Sequence, residues 1–134
     1  MKTIRTEIAS EKNNFNYVEA LLLKVNKEFK LPESELHKVL IAVSEIVMNA
    51  IVHGNKENKF KKVEVIVEYN NEKMCVKICD EGNGFNINDD IDPTLDENIM
   101  KSSGRGMFIA KSLVKDIRYK HTQKGSEVIL TIHR

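Results

Sequence analysis

Residues 33–54 read ESELHKVLIAVSEIVMNAIVHG, and their spacing decides the architecture. Leu36, Val39, Leu40, Val43, Ile46, Val47 and Ala50 recur at intervals of three and four, which predicts a helix whose broad apolar face lies on a sheet. Pro32 is tolerated in a first turn and Gly54 offers a C-terminal stop, so the helix is expected to run to His53-Gly54. Glu45 and Asn49 stand on the opposite side, offset by about 40° because four residues slightly exceed one turn. Ile41, Met48 and Val52 flank them. A carboxylate and a carboxamide among aliphatics either line a cleft that another molecule fills or are two polar residues on a second face.

Upstream, Phe15, Val18, Leu22, Val25 and Phe29 predict a helix from about Asn14 to Lys30, broken by Leu31-Pro32-Glu33. Thr3 to Ile8 places Ile4, Thr6 and Ile8 on one face of a short strand. Downstream, a polar turn over Asn55–Lys61 leads to a hairpin: Val63, Val65 and Val67 alternate, Asn70-Asn71 turns the chain, and Met74, Val76 and Ile78 alternate back. Asp80 to Ser103 is rich in Gly, Asn, Asp and Ser, and a loop of that length is usually functional or disordered. A third helix starts around Gly106 and carries Phe108, Ile109, Leu113 and Val114; strands Ile117–His121 and Glu127–His133 close the chain. The order βααββ–loop–αββ predicts an α+β fold, a two-layer sandwich with helices on one face of a mainly antiparallel, mixed sheet.

The 134 residues fit one domain, 1–134, and 41% hydrophobic residues supply its core. Lys and Arg number 21 against 20 Asp and Glu, and the resulting +1 removes any general electrostatic drive toward nucleic acid or an anionic membrane. Cys75 and Cys79 lie four apart in a strand, roughly 13 Å, too far to bridge, and two cysteines fall short of the four ligands of structural zinc. Reduced thiols in a cytosol are expected. The opening MKTIRTEIASEKNN has no apolar stretch of signal-peptide length, and no segment is expected to approach the ~20 apolar residues of a membrane span, so the chain reads as cytoplasmic.

Two glycine elements complete the candidate chemistry. Asp80-Glu81-Gly82-Asn83-Gly84-Phe85 follows a strand; its glycines let a ligand approach closely, and its carboxylate can accept a hydrogen bond from an exocyclic amine, though the same residues also build any tight turn. Ser103-Gly104-Arg105-Gly106-Met107 opens the third helix, where free N–H groups and Arg105 suit phosphate, or where the glycines simply turn the chain. Neither element is a Walker A loop or a complete G-x-G-x-x-G fingerprint.

Taken in order, Glu45-x-x-x-Asn49-Ala50-x-x-His53-Gly54, Asp80-x-Gly82-x-Gly84-Phe85 and Gly104-Arg105-Gly106-Met107-Phe108-Ile109 resemble the N box and the two glycine boxes of the GHKL (Bergerat-fold) ATPases. The resemblance spans nearly the whole chain, to Gly125–Leu130, and narrows to the anti-sigma factor branch, small bacterial serine-protein kinases that bind a sigma factor or phosphorylate its antagonist. It implies ATP with Mg²⁺, a sigma factor and a small antagonist as partners, and a homodimer. Within it, Asn49 matches the residue that holds Mg²⁺ and binds nucleotide, and Glu45 matches the general base. Asp80 matches the adenine reader and Gly84 the position that stays small beside the base, with Gly82 and Phe85 in the same box. Gly104, Arg105 and Gly106, followed by Met107, match the phosphate cradle, and residues 86–103 match an ATP lid. Ser126 stands where relatives often have Thr near the adenine; His53 matches a basic position near phosphate, or caps the helix, or is a surface residue.

Other polar residues read as ordinary. His37, His121 and His133 lack metal-ligand spacing, and Lys59, Lys61 and Lys62 read as a wet turn. Asp89, Asp90, Asp92, Asp96 and Glu97 make the lid acidic, either solvated or docking a partner. The leading expectation is therefore an anti-sigma serine-protein kinase. One alternative is a nucleotide-dependent binding module without kinase turnover. Another is a histidine-kinase catalytic domain, against which the 44 residues before Glu45 leave no room for a phosphoacceptor-histidine dimerisation helix.

Overall fold

A computed structural model describes residues 1–82, 105–114 and 116–134. Strand β1 (Lys2–Ala9) leads through a short 3₁₀ turn into helices α1 (Phe15–Phe29) and α2 (Glu33–Asn49). Strands β2 (Lys62–Tyr69) and β3 (Lys73–Cys79) follow, then α3 (Arg105–Leu113), β4 (Asp116–Thr122) and β5 (Gly125–His133). The five strands form one sheet in the order β1-β2-β3-β5-β4. All four pairings are antiparallel, so among the described residues the sheet is antiparallel rather than mixed.

Period-two alternation splits the sheet into two unlike faces. Ile4, Val67, Val76, Leu130 and Ile117 lie opposite one another across all five strands, as do Thr6, Val65, Ile78, Val128 and Tyr119 in the next row. These rows meet Val18, Leu22, Val25 and Phe29 of α1 and Val39, Val43, Ile46 and Val47 of α2 in a single core. The other face carries Arg5, Ile66, Lys77, Ile129 and Arg118 in register, with Lys77 paired to Glu68 at 2.9 Å. Asn70 closes the β2–β3 hairpin, its Oδ1 accepting from the N–H groups of Glu72 and Lys73 at 2.8 and 2.9 Å.

Between α1 and α2 the chain turns at Lys30, which adopts the left-handed conformation (φ 60°), and Pro32 stands just before the first helical residue. The stretch Glu33–Gly54 is long and apolar enough to span a membrane by length and composition, contrary to the sequence expectation. Much of its apolar surface faces protein: Val39, Ala42, Val43, Ile46, Val47, Ala50 and Ile51 are buried in the core, while Ile41 is exposed.

The helical segment ends at Gly54 as expected, but its last turn is not regular helix. Regular helix stops at Asn49, and Ala50–Gly54 forms a wider π-turn closed by Asn55 N–H donating to Ala50 O at 2.8 Å. Gly54 is no left-handed stop, since Gly125 is the one described glycine with a positive φ. Asn49, expected on the side of α2 away from the sheet, is enclosed. It is 5% exposed, because α1 and α3 pack along the sides of α2 that the sheet leaves uncovered.

Candidate functional site

Three chain segments converge at the end of β3, and Asp80 is at their centre. Its side chain is buried, and Oδ1 accepts from the N–H of Gly82 at 2.9 Å and more weakly from the N–H of Ser126 at 3.4 Å. The Asp80 N–H donates to Ser126 O at 2.9 Å, tying the corner to the start of β5. Among the described residues no donor reaches Oδ2. Burial pushes the Asp80 carboxyl above the usual aspartate range; the Gly82 and Ser126 N–H groups, with His121 and Lys61, oppose that shift.

Glycines make this packing possible. A Cβ on Gly54 would lie 2.4 Å from Asp80 Oδ2, and one on Gly82 would lie 1.7 Å from Gly54 O. At Gly125 (φ +145°) it would lie 1.8 Å from Asp80 O. The conformation of Gly125 is one that side-chain-bearing residues rarely adopt, so there backbone and packing agree on glycine. The π-turn supplies the other half of the arrangement, carrying the Gly54 backbone against the carboxylate.

Of the expected site residues, the structure brings Asp80, Gly82 and Ser126 together by hydrogen bonds. Ser126 is buried and its hydroxyl lies 3.0 Å from that of Tyr119. Asn49 is buried on the last turn of α2, and its Nδ2 has no hydrogen-bond partner among the described residues. An orphaned buried donor of this kind costs about 1–3 kcal/mol, so Nδ2 calls for an acceptor from beyond the described residues, of the kind a ligand or a water can supply. Glu45, one turn earlier, is half-buried and opens into a cleft of about 340 Å³ between α1 and α2, alongside Ile41, Ser44 and His37. His53 is exposed on the π-turn, with no described contact to Asn49 or Asp80. Arg105, Gly106 and Met107 form the first turn of α3. Gly84, Phe85, Gly104 and residues 86–103 lie outside the described residues.

The family model of the histidine kinase-like ATPase domain matches residues 8–132. This chain belongs to the histidine kinase-like ATPase family. Among curated proteins it is similar to the anti-sigma F factor of Clostridium acetobutylicum, with 31% identity over 99 residues covering 72% of this chain and 68% of that protein. It is 30% identical to the anti-sigma F factor of Bacillus subtilis over 74% of this chain and 70% of that protein. The serine-protein kinase RsbW of Bacillus subtilis is 28% identical, over 72% of this chain and 64% of the kinase. The fold is that of the RsbU and RsbW domain structure from Mycobacterium tuberculosis, at a TM-score of 0.69, 20% identity, all of this chain and 33% of that one.

For a member of this ATPase family, the sequence reading missed the surroundings of Asp80. Asn55, which opens the polar turn Asn55–Lys61, is 1% exposed, and Ser10 beside it is equally buried. Gly125, at the start of the closing Gly125–Leu130 stretch, and Tyr119 shape the far side of the corner. The signal available was Gly125 directly before Ser126, since a glycine opening a strand often marks a close backbone approach.

Proposed function

We propose that this chain is an ATP-binding anti-sigma factor with serine-protein kinase activity, which phosphorylates a serine of a small anti-sigma-factor antagonist and sequesters a sigma factor. The observation that carries the reading is the caged Asp80 carboxylate, in a chain whose relatives are named anti-sigma F factor and serine-protein kinase. With Oδ1 engaged, Oδ2 is left to accept from the exocyclic amine of adenine. A base that presents a carbonyl at that position would be repelled.

The remaining roles follow from the chemistry of each residue. Glu45 takes the proton from the serine hydroxyl as its oxygen bonds to the γ-phosphorus and the β–γ bridging oxygen leaves with ADP. Asn49 fits a magnesium-bound triphosphate: its amide oxygen is a hard ligand, and its unpartnered Nδ2 suits a phosphate oxygen or an ordered water. Magnesium, when bound, neutralises phosphate charge. The first-turn amides of Arg105, Gly106 and Met107 offer donors to the phosphates, beside Gly104. Gly82, Gly84, Phe85 and Ser126 line the base, and His53 completes the nucleotide-binding set.

In this reading residues 1–134 form one domain with an ATP lid at about 86–103, working in the cytoplasm, where Cys75 and Cys79 stay free thiols. A homodimer is supported by the sheet face turned away from the described helices, where Ile66, Cys75, Ile129 and Thr131 are half-buried and, among the described residues, have no helix over them. Incubation with radiolabelled ATP and a candidate antagonist should label an antagonist serine, and pull-downs in Mg-ATP and Mg-ADP should retain different partners. Absence of label together with a partner set indifferent to nucleotide would contradict the proposal.

A further inference from the structure

Asn55 is the first residue beyond the π-turn, and every polar group it carries is committed. Its N–H closes the π-turn on Ala50 O at 2.8 Å, and its carbonyl accepts from Asn58 N–H at 3.0 Å. Its Oδ1 accepts from the Glu81 N–H at 2.8 Å, while Nδ2 donates to Ser10 Oγ at 2.9 Å and to Lys62 O at 3.0 Å. Ser10 Oγ in turn donates to Lys61 O at 2.7 Å. One buried carboxamide thus joins the end of α2, the end of β1, the start of β2 and the residue that follows Asp80.

We infer that Asn55 is a positioning residue for nucleotide-base recognition, holding the Asp80–Glu81–Gly82 corner against Gly54 so that Asp80 Oδ2 faces the base. The inference rests on the reading of Asp80 as the acceptor for an adenine amine. On its β5 side, Asp80 is fixed by two hydrogen bonds with Ser126. On its α2 side it meets the Gly54 backbone, which donates nothing to it, and that side is fastened to the corner through Glu81: its N–H donates to Asn55 Oδ1, buried within the fold, and its exposed carboxylate accepts from the Lys62 N–H. The chemistry calls for a carboxamide: one acceptor for Glu81 and two donors for Ser10 and Lys62, on a short stem. Aspartate keeps the acceptor and loses both donors; alanine loses all three.

The readout is base discrimination, which a purely structural role would leave alone. Inosine triphosphate carries a carbonyl where ATP carries the 6-amino group, so the ratio of its Kd to that of ATP reports how well Oδ2 is aimed. Calorimetric titration of the full chain should give Asn55→Ala a ratio reduced about tenfold or more, mainly through weaker ATP binding. Asn55→Asp, which keeps the acceptor for Glu81, should retain the wild-type ratio within about threefold while melting at a lower temperature. A wild-type ratio in Asn55→Ala overturns the inference, as does a collapsed ratio in Asn55→Asp. The aspartate variant carries the test by itself if the alanine variant does not fold. Asp80→Asn is titrated in parallel. A wild-type ratio there overturns the adenine reading and this inference with it, whereas a collapsed ratio there beside an intact one in Asn55→Ala overturns the role of Asn55 alone.

Discussion

Replacing Gly54 with alanine sets two physical effects against each other. Gly54 has no positive φ, so its backbone accepts alanine, and in a helical segment the exchange by itself stabilises by about 1 kcal/mol. The added Cβ, however, would sit 2.4 Å from Asp80 Oδ2, and relieving it to an ordinary contact moves the carboxylate by about 1 Å. Oδ1 is held by the Gly82 N–H at 2.9 Å, and a displacement of that size breaks the bond. A hydrogen bond to a charged group contributes about 1.5–3 kcal/mol, so the net effect is a destabilisation of about 0.5–2 kcal/mol. At roughly 4 °C per kcal/mol for a domain of this size, Tm should fall by about 2–8 °C. ATP affinity should fall about tenfold or more, because the displaced oxygen no longer meets the base amine. Scanning calorimetry and nucleotide titration read both quantities. A Gly54→Ala protein that melts at or above the wild-type temperature and binds ATP normally would refute the packing argument.

Three further outcomes follow from the same geometry. Asn49→Ala removes a buried donor with no described partner, so Tm should stay within a few degrees of wild type or rise, while magnesium-dependent ATP affinity drops by about tenfold or more. Asp80 has its carboxyl raised by burial, so its contribution to stability is full below the ordinary aspartate value of about 3.9 and is lost as pH rises through the raised folded value. Asp80→Asn should therefore melt higher than wild type at pH 7, the advantage vanishing near pH 3, and bind ATP poorly; a lower Tm at pH 7 would contradict the desolvation argument. Burial, followed by the carboxylates of Glu127, Glu64 and Asp80, pushes the Cys79 thiol up to about 11. Alkylation of Cys79 at pH 8, followed by mass spectrometry, should run on the order of a hundredfold slower than for an unperturbed thiol of pKa about 8.5.

How much of this was legible in the sequence varies with the kind of signal. The helices and strands announced themselves because Val39, Val43 and Ile46, or Val63, Val65 and Val67, repeat with the period of their element, and period depends only on which face is buried. Asp80, Gly82 and Ser126 were identified and do meet. Asn55 was not, because its burial is created by Ser10 and Glu81, which lie 45 and 26 positions away, and a buried asparagine in a turn has the same letter as a solvated one. Gly54 ends the helical segment as its place in the sequence suggests, and a second role is hidden there. That role is to leave room for the Asp80 carboxylate, a contact between segments that no local pattern encodes. For Asn49, helical periodicity gives the side of α2 away from the sheet and leaves open whether that side is a cleft, because it says nothing about α1 and α3 packing along α2.

The central claim is that Glu45 activates a serine hydroxyl for phosphoryl transfer, and single-turnover phosphorylation of the antagonist by Glu45→Gln tests it most directly. Glu45 is half-buried beside the α1–α2 cleft and makes no described contact with the Asp80 corner, so the substitution should leave ATP affinity and Tm near wild type. Losing a general base should slow transfer by about 10²–10⁴-fold, with the label still found on serine. Transfer at the wild-type rate by Glu45→Gln, with ATP bound equally well, would contradict the account.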